Sequence, residues 1–224
     1  MSQAWETLDA VETDEGQLEL RRRGSADFII TVAGRVLMNS HASRSEVALG
    51  EVAAKAALAI SAAPRVLIGG LGMACTLRAA LDALPPRSTV VVTELTPKIV
   101  DWCRGPLAEL TASSVEDDRV QIEIGDVADR IRAATPGSKR FDCIALDLYE
   151  GPHQGRRANL DPFFGNAALK TTRKALNRGG TFALWSEHRD AQFEKRLENS
   201  GFEFEIHRPG KGGLRHAVYA ARAR

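Results

Sequence analysis

Cysteine is scarce in this sequence, at three residues in 224, as are tyrosine, with two, and tryptophan and methionine, with three each. Cys75, Cys103 and Cys143 form an odd set with no Cys-x-x-Cys spacing. That speaks against a disulfide framework or a zinc site, and for reduced thiols in a cytoplasmic protein with no bound metal. No apolar stretch approaches the roughly 18–20 residues that span a bilayer, so no membrane partner is expected. The segment Met1–Asp14 is acidic and lacks the basic-then-apolar layout of a signal peptide. An excess of charge is missing too: 30 Lys and Arg face 29 Asp and Glu, for a net charge of +1. Nothing in that balance calls for a nucleic acid partner, and the basic run Arg21-Arg22-Arg23 reads as a solvated strand end. There is no internal repeat and no low-complexity segment. What is present is a 44% apolar share with 26% charged residues, enough to bury a core in one large domain with a small appendage.

The pattern changes along the chain. Gln17–Arg23 alternates around Leu18 and Leu20, Phe28–Val32 is β-branched and aromatic, and Arg35–Met38 is again apolar, with Gly24-Ser25 and Ala33-Gly34 between them. These runs predict a small antiparallel meander within residues 1–42, too small to stand alone. From Ser43 the period becomes helical, with Ser43 or Ser45 as N-cap and Pro64 as terminator. Beyond it, strands are predicted at Arg65–Ile68, Thr89–Thr93, Val120–Ile124, Phe141–Leu146 and Thr181–Trp185. Helices are predicted between them at Ala74–Leu84, Pro97–Leu110, Val127–Ala134 and Pro162–Leu176. Apolar strands alternating with amphipathic helices mean a parallel sheet covered on both faces. A helix at Ala191–Asn199 and strands at Phe202–His207 and His216–Ala221 follow, the last two joined tightly through Gly210-Lys211-Gly212-Gly213. The expected fold is α/β: a doubly wound, mostly parallel, seven-stranded Rossmann-like sheet over residues 43–224, ending in an antiparallel pair. This layout resembles the class I S-adenosylmethionine-dependent methyltransferase fold.

In such a sheet the ligand sits beyond the carboxyl ends of the strands. The first strand runs into Gly69-Gly70-Leu71-Gly72, a turn whose glycines let backbone approach a ligand and whose following helix offers free N–H groups. The second strand ends at Glu94, placed to accept ribose hydroxyl hydrogens or, less specifically, to cap the helix opening at Thr96-Pro97. The third ends in Gly125-Asp126 and the fourth at Asp147. Carboxylates gathered at one edge repel each other, so stability alone does not favour the series. It suits a nucleoside: Glu94 for ribose, Asp126 for an adenine amino group, Asp147 where a transferred group meets its acceptor. The polar loop after Asp147 marks a binding loop, and Asp147 with Glu150 form the candidate catalytic pair. His153 reads as an ordinary loop histidine and Trp102 as core. Trp185 and Glu187 either line the site or close the core.

The stretch Val66-Leu67-Ile68-Gly69-Gly70 followed by Thr76-Leu77-Arg78 resembles the nucleotide turn of the polyamine aminopropyltransferases, the spermidine synthase family. The resemblance continues through Glu94, Asp118-Arg119-Val120, Gly125-Asp126, Phe141-Asp142, Asp147 and Leu176-Asn177-Arg178-Gly179-Gly180, and the meander and first helix match that family's layout. It implies a homodimer and a sulfonium donor, S-adenosylmethionine or its decarboxylated form, with Asp147 as the base that activates an acceptor amine. The implied donor-binding set is Gly69, Gly70, Leu71, Gly72, Thr76, Glu94, Leu95, Gly125, Asp126, Val127 and Asp147. The chain departs from the family where the aminopropyl donor and polyamine are held. The Gly-Gly-Gly-Asp-Gly turn has lost its aspartate, Leu49-Gly50-Glu51 stands for Tyr-His-Glu, and Leu37 and Met38 are the candidates where a glutamine is kept. Asp147-Leu148-Tyr149-Glu150-Gly151-Pro152 replaces Asp-Ser-Ser-Asp-Pro. These departures mark a divergent branch. An aspartate in the turn attracts the donor's ammonium and repels a carboxylate, and no Asp or Glu occurs from Gly69 to Thr76. The favoured function is therefore methyl transfer to a small acceptor, an amine among the candidates. Aminopropyl transfer is the alternative, and a non-catalytic nucleoside-binding dimer module the second.

Overall fold

A computed structural model of the chain describes residues 4–134, 139–152, 157–210 and 216–224. The expected His153 and the connection at Lys211, Gly212 and Gly213 lie outside the described residues. Four antiparallel strands come first: β1 (Glu6–Thr13), β2 (Gly16–Arg23), β3 (Asp27–Val32) and β4 (Arg35–Asn39), paired in that order. The sequence announces three of them. β1 escapes because it is an edge strand with exposed or half-buried positions throughout and a register shift between Thr7 and Asp9, so its alternation is faint.

α1 (Arg44–Leu58) follows, and then the second sheet: β5 (Arg65–Gly69), α2 (Cys75–Ala83), β6 (Thr89–Glu94), α3 (Pro97–Arg104), β7 (Val120–Ile124), α4 (Val127–Ala133), β8 (Phe141–Leu146), α5 (Asn166–Ala175), β9 (Leu176–Ser186), α6 (Ala191–Asn199), β10 (Phe202–His207) and β11 (Ala217–Ala223). The seven strands lie in the order β10-β11-β9-β8-β5-β6-β7. β5 to β9 are mutually parallel, and β11 is antiparallel to both β9 and β10. The α/β sheet expected from the alternation is therefore present. α3 stops at Arg104, short of the expected Leu110, because Gly105 and Pro106 break it and a 3-10 turn at Ala108–Thr111 takes over. α5 starts at Asn166 and not at Pro162, because Asp161 accepts hydrogen bonds from the N–H groups of Phe163 and Phe164, both at 2.8 Å, and holds that stretch as a turn.

The alternation of the central strands builds two cores. Val66, Ile68, Val90, Val92, Cys143 and Ala145 face one side with α1, α2 and α3, and Leu20, Phe28 and Ile30 of the meander join that same cluster. Leu67, Val91, Ile144, Leu146, Phe182 and Tyr219 face the other side with α4, α5 and α6. Each fully buried aliphatic of this kind contributes about 1.5–3 kcal/mol relative to exposure. The meander thus covers the α1–α2–α3 face, and Trp102 of α3 donates its indole N–H to Asp9 of β1 at 2.9 Å. Among the described residues no helix is long and apolar enough to cross a membrane.

Candidate functional site

Acids occur at both ends of the parallel sheet, and those at its lower end hold structure together. Asp142, at the start of β8, is buried; it accepts from the Arg65 N–H at 2.8 Å and from Asn177 Nδ2 at 2.7 Å, tying three strand starts. Asp117 is held down to about 2 by the Arg119 guanidinium clasping it.

At the carboxyl ends the backbone is stitched into one shelf. Gly70 N donates to Thr93 O at 2.9 Å, Asp147 N to Gly69 O at 2.8 Å and Gly125 N to Glu94 O at 2.9 Å. Gly70 has φ +86°, and a Cβ there would stand 2.4 Å from the Asp147 carbonyl oxygen, so only glycine fits between β5 and β8. Glu94 Oε2 accepts from Leu71 N at 2.8 Å and Oε1 from Thr96 N at 2.9 Å. The carboxylate therefore braces the glycine turn and the bend that leads into α3, and each oxygen keeps a second lone pair for a hydroxyl. Leu71 and Met73 are buried in the core, Val127 lies under Gly69, and α2 has no acid in its first turn. Asp126 caps α4 through Oδ1, which accepts from Ala128 N at 2.7 Å. Around these two acids Leu95 and Ile124 are 70% and 53% exposed, and the space above Gly125 is open to 4 Å. Large aliphatics left that bare beside paired carboxylates form a ledge suited to a flat, partly apolar ligand.

Asp147, at the end of β8, is half-buried. Its Oδ2 lies 2.6 Å from Thr76 Oγ1, and Thr76, almost fully buried in the first turn of α2, also reaches the Glu46 carbonyl oxygen at 3.1 Å. Burial pushes the Asp147 carboxyl up to about 7; the Thr76 bond opposes that rise and the Glu46 charge adds to it. The Cys75 thiol is pushed up to about 12, mainly by burial and then by the charges of Glu46 and Asp147, and so stays protonated and unreactive. Ser45 donates to Glu46 Oε2 at 2.7 Å and lies 3.1 Å from His216 Nδ1. His216 in turn meets the Trp185 ring edge-on with centroids 5.2 Å apart.

The acid whose charge acts on Asp147 is thus Glu46 of α1. Glu150 is exposed and makes no hydrogen bond or ion pair among the described residues, and Glu187 is exposed as well. Glu46 and His216 are absent from the sequence-based set. Their only signal was an acid just after a Ser-rich helix start and a histidine opening the last strand. Tyr149 is the other addition: its hydroxyl donates to Glu15 Oε2 at 2.8 Å and its ring lies 6.0 Å from the Arg35 guanidinium. It fastens the loop after Asp147 to the meander. A separate groove of about 340 Å³ runs past α1 and α2, lined by Ser43, Glu51, Cys75 and Arg78 among others; it includes none of Glu94, Asp126 and Asp147.

No family model and no curated sequence matches the chain. Its structure is similar to a spermidine synthase from Thermotoga maritima, with TM-score 0.72 and 17% identity over 96% of this chain and 72% of that one. A spermidine synthase in complex with the transition-state analogue AdoDATO gives TM-score 0.71 at the same identity and coverage. Human methyltransferase-like protein 13, in complex with SAH, gives TM-score 0.57 and 20% identity over 83% of this chain and 82% of that one. The fold is the class I methyltransferase fold in its spermidine synthase-like form. At 96% coverage too few residues are left over for the alignment to omit the meander.

Proposed function

We propose that the chain is an S-adenosylmethionine-dependent transferase that moves a methyl group to a small acceptor, with an amine as the favoured class. The observation that carries this is the row of strand-end acids on one shelf, Glu94, Asp126 and Asp147, beside a glycine turn that has no acid of its own. Glu94 would take the ribose hydroxyls, Asp126 the adenine amino group through the oxygen not used in capping, and Leu95 and Ile124 the faces of the base. The donor's amino-acid tail would lie over Gly70–Gly72, where backbone, the Met38 thioether packed against Gly72 and the start of α2 await its carboxylate. The acceptor nitrogen attacks the methyl carbon, the carbon–sulfur bond breaks with its electron pair going to sulfur, and the acceptor's proton passes to Asp147. A carboxyl raised to about 7 suits a base that works near neutral pH, and Glu46 adds a second negative charge that gathers a cationic amine.

Aminopropyl transfer from the decarboxylated donor is the second reading. It is favoured by the longer alignment with the spermidine synthases, 96% of the chain against 83% for the methyltransferase-like protein. The missing turn aspartate weighs against it.

The donor site is tested by calorimetric titration of S-adenosylhomocysteine. Glu94→Ala removes the acceptor for two hydroxyls and should weaken binding by about 1.5–3 kcal/mol. Glu94→Gln, which keeps one acceptor oxygen for the turn, should lose less. Equal affinity in Glu94→Ala and the parent protein would contradict the ribose assignment.

A further inference from the structure

Thr76 has one hydroxyl proton and two acceptors in reach: Asp147 Oδ2 at 2.6 Å and the Glu46 carbonyl oxygen at 3.1 Å. It cannot donate to both at once. A hydroxyl also accepts, so there are two complete arrangements. With Asp147 ionised, Thr76 donates to Oδ2 and leaves the Glu46 carbonyl. With a proton from solvent on Oδ2, that O–H donates to Thr76 Oγ1, and Thr76 turns its own proton to the Glu46 carbonyl. In either case Thr76 engages Oδ2 and leaves Oδ1 out of the bond.

We propose that Thr76 is the positioning residue for Asp147. Its hydroxyl keeps Oδ2 hydrogen-bonded whether or not the carboxyl is protonated, and so reserves Oδ1 for the incoming group. A backbone N–H in its place could not accept from an Oδ2 that carries the proton, and an apolar side chain could neither donate nor accept. The side chain's near-complete burial makes the point sharper, because no water replaces it there. The other titratable groups bearing on Asp147 are Glu46 from α1 and Cys75 from α2, with His216, before β11, reaching Glu46 through Ser45. None of them offers a hydroxyl to Oδ2. The role in turnover rests on Asp147 being the base, whereas the hydroxyl switch itself needs neither donor nor acceptor to be observed.

The test is therefore made on the ligand-free protein, by carbon-13 NMR titration of its aspartate carboxyls, with the Asp147 signal identified by its loss in Asp147→Asn. Thr76→Val keeps the shape and removes the hydroxyl. The ionised form loses the stronger, charge-assisted bond, so the Asp147 midpoint should rise by about one pH unit. Thr76→Ser, which restores the hydroxyl, should return it to the parent value. If Thr76→Val does not fold, Thr76→Ala carries the same expectation. An unmoved midpoint would overturn the proposal by making Thr76 a packing residue. A falling midpoint would overturn it by showing that the hydroxyl serves only the protonated form, and so would a Thr76→Ser variant that behaves as Thr76→Val. Loss of donor binding, by contrast, would bear on the proposed function and leave this result standing.

Discussion

Asp147 is the residue at which stability and the proposed chemistry pull apart. Its carboxyl stands at about 7 in the folded protein against an ordinary 3.8, because burial and the Glu46 charge disfavour the ion. Between those values the folded state holds a proton that the unfolded chain has released, so stability falls as pH rises through that window and the penalty is complete above it. Asp147→Asn removes the ionisation. The variant should be more stable than the parent by about 2–4 kcal/mol at pH 8 and nearly equal to it at pH 4. Denaturant melts at the two pH values check this, and a parent protein that is the more stable at pH 8 would contradict the burial of an ionising group. A stabilising change at the proposed base is what a site held under electrostatic strain should show.

At the level of elements, the sequence reveals what is local. Val90–Val92, Val120–Ile124 and Phe141–Leu146 read as strands, and the acid that follows each, Glu94, Asp126 or Asp147, stands close behind it in the chain. Glu94, Asp126 and Asp147 are therefore legible before any packing is known. Glu46 and His216 are not, because only the lie of α1 against β8, β9 and β11 brings Glu46 to Asp147 and His216 to Ser45 beside it. The 3-10 turn after α3 and the edge strand β1 are hidden for a related reason: neither buries a full face, so neither leaves a periodic trace.

Arg119 shows the reverse case, a motif residue whose work is structural. It binds both Asp117 oxygens at 2.8 Å and donates to the Leu81 and Leu84 carbonyls, at 2.9 and 2.6 Å, just past or within the last turn of α2. Arg119→Ala should destabilise by about 2 kcal/mol and lower Tm by about 4–8 °C. Arg119→Lys should recover little, since one ammonium cannot span the carboxylate and both carbonyls. A melting curve unchanged in Arg119→Ala would remove this anchor for the end of the helix whose start carries Thr76.

Taken whole, the molecule separates its duties by the ends and faces of one sheet. The lower end is closed by Asp142 and the Asp117–Arg119 clasp, one face is roofed by the meander, and the upper end keeps its acids and bare aliphatics. Tyr149 links roof and site by fastening the loop after Asp147 to the β1–β2 turn. Which donor that upper end holds is tested most directly by calorimetry with S-adenosylmethionine and its decarboxylated form titrated side by side. Binding of S-adenosylmethionine as the tighter of the two, as a turn without an acid requires, is the predicted result. Tighter binding of the decarboxylated donor would contradict methyl transfer in favour of aminopropyl transfer, and binding of neither would contradict a transferase of either kind.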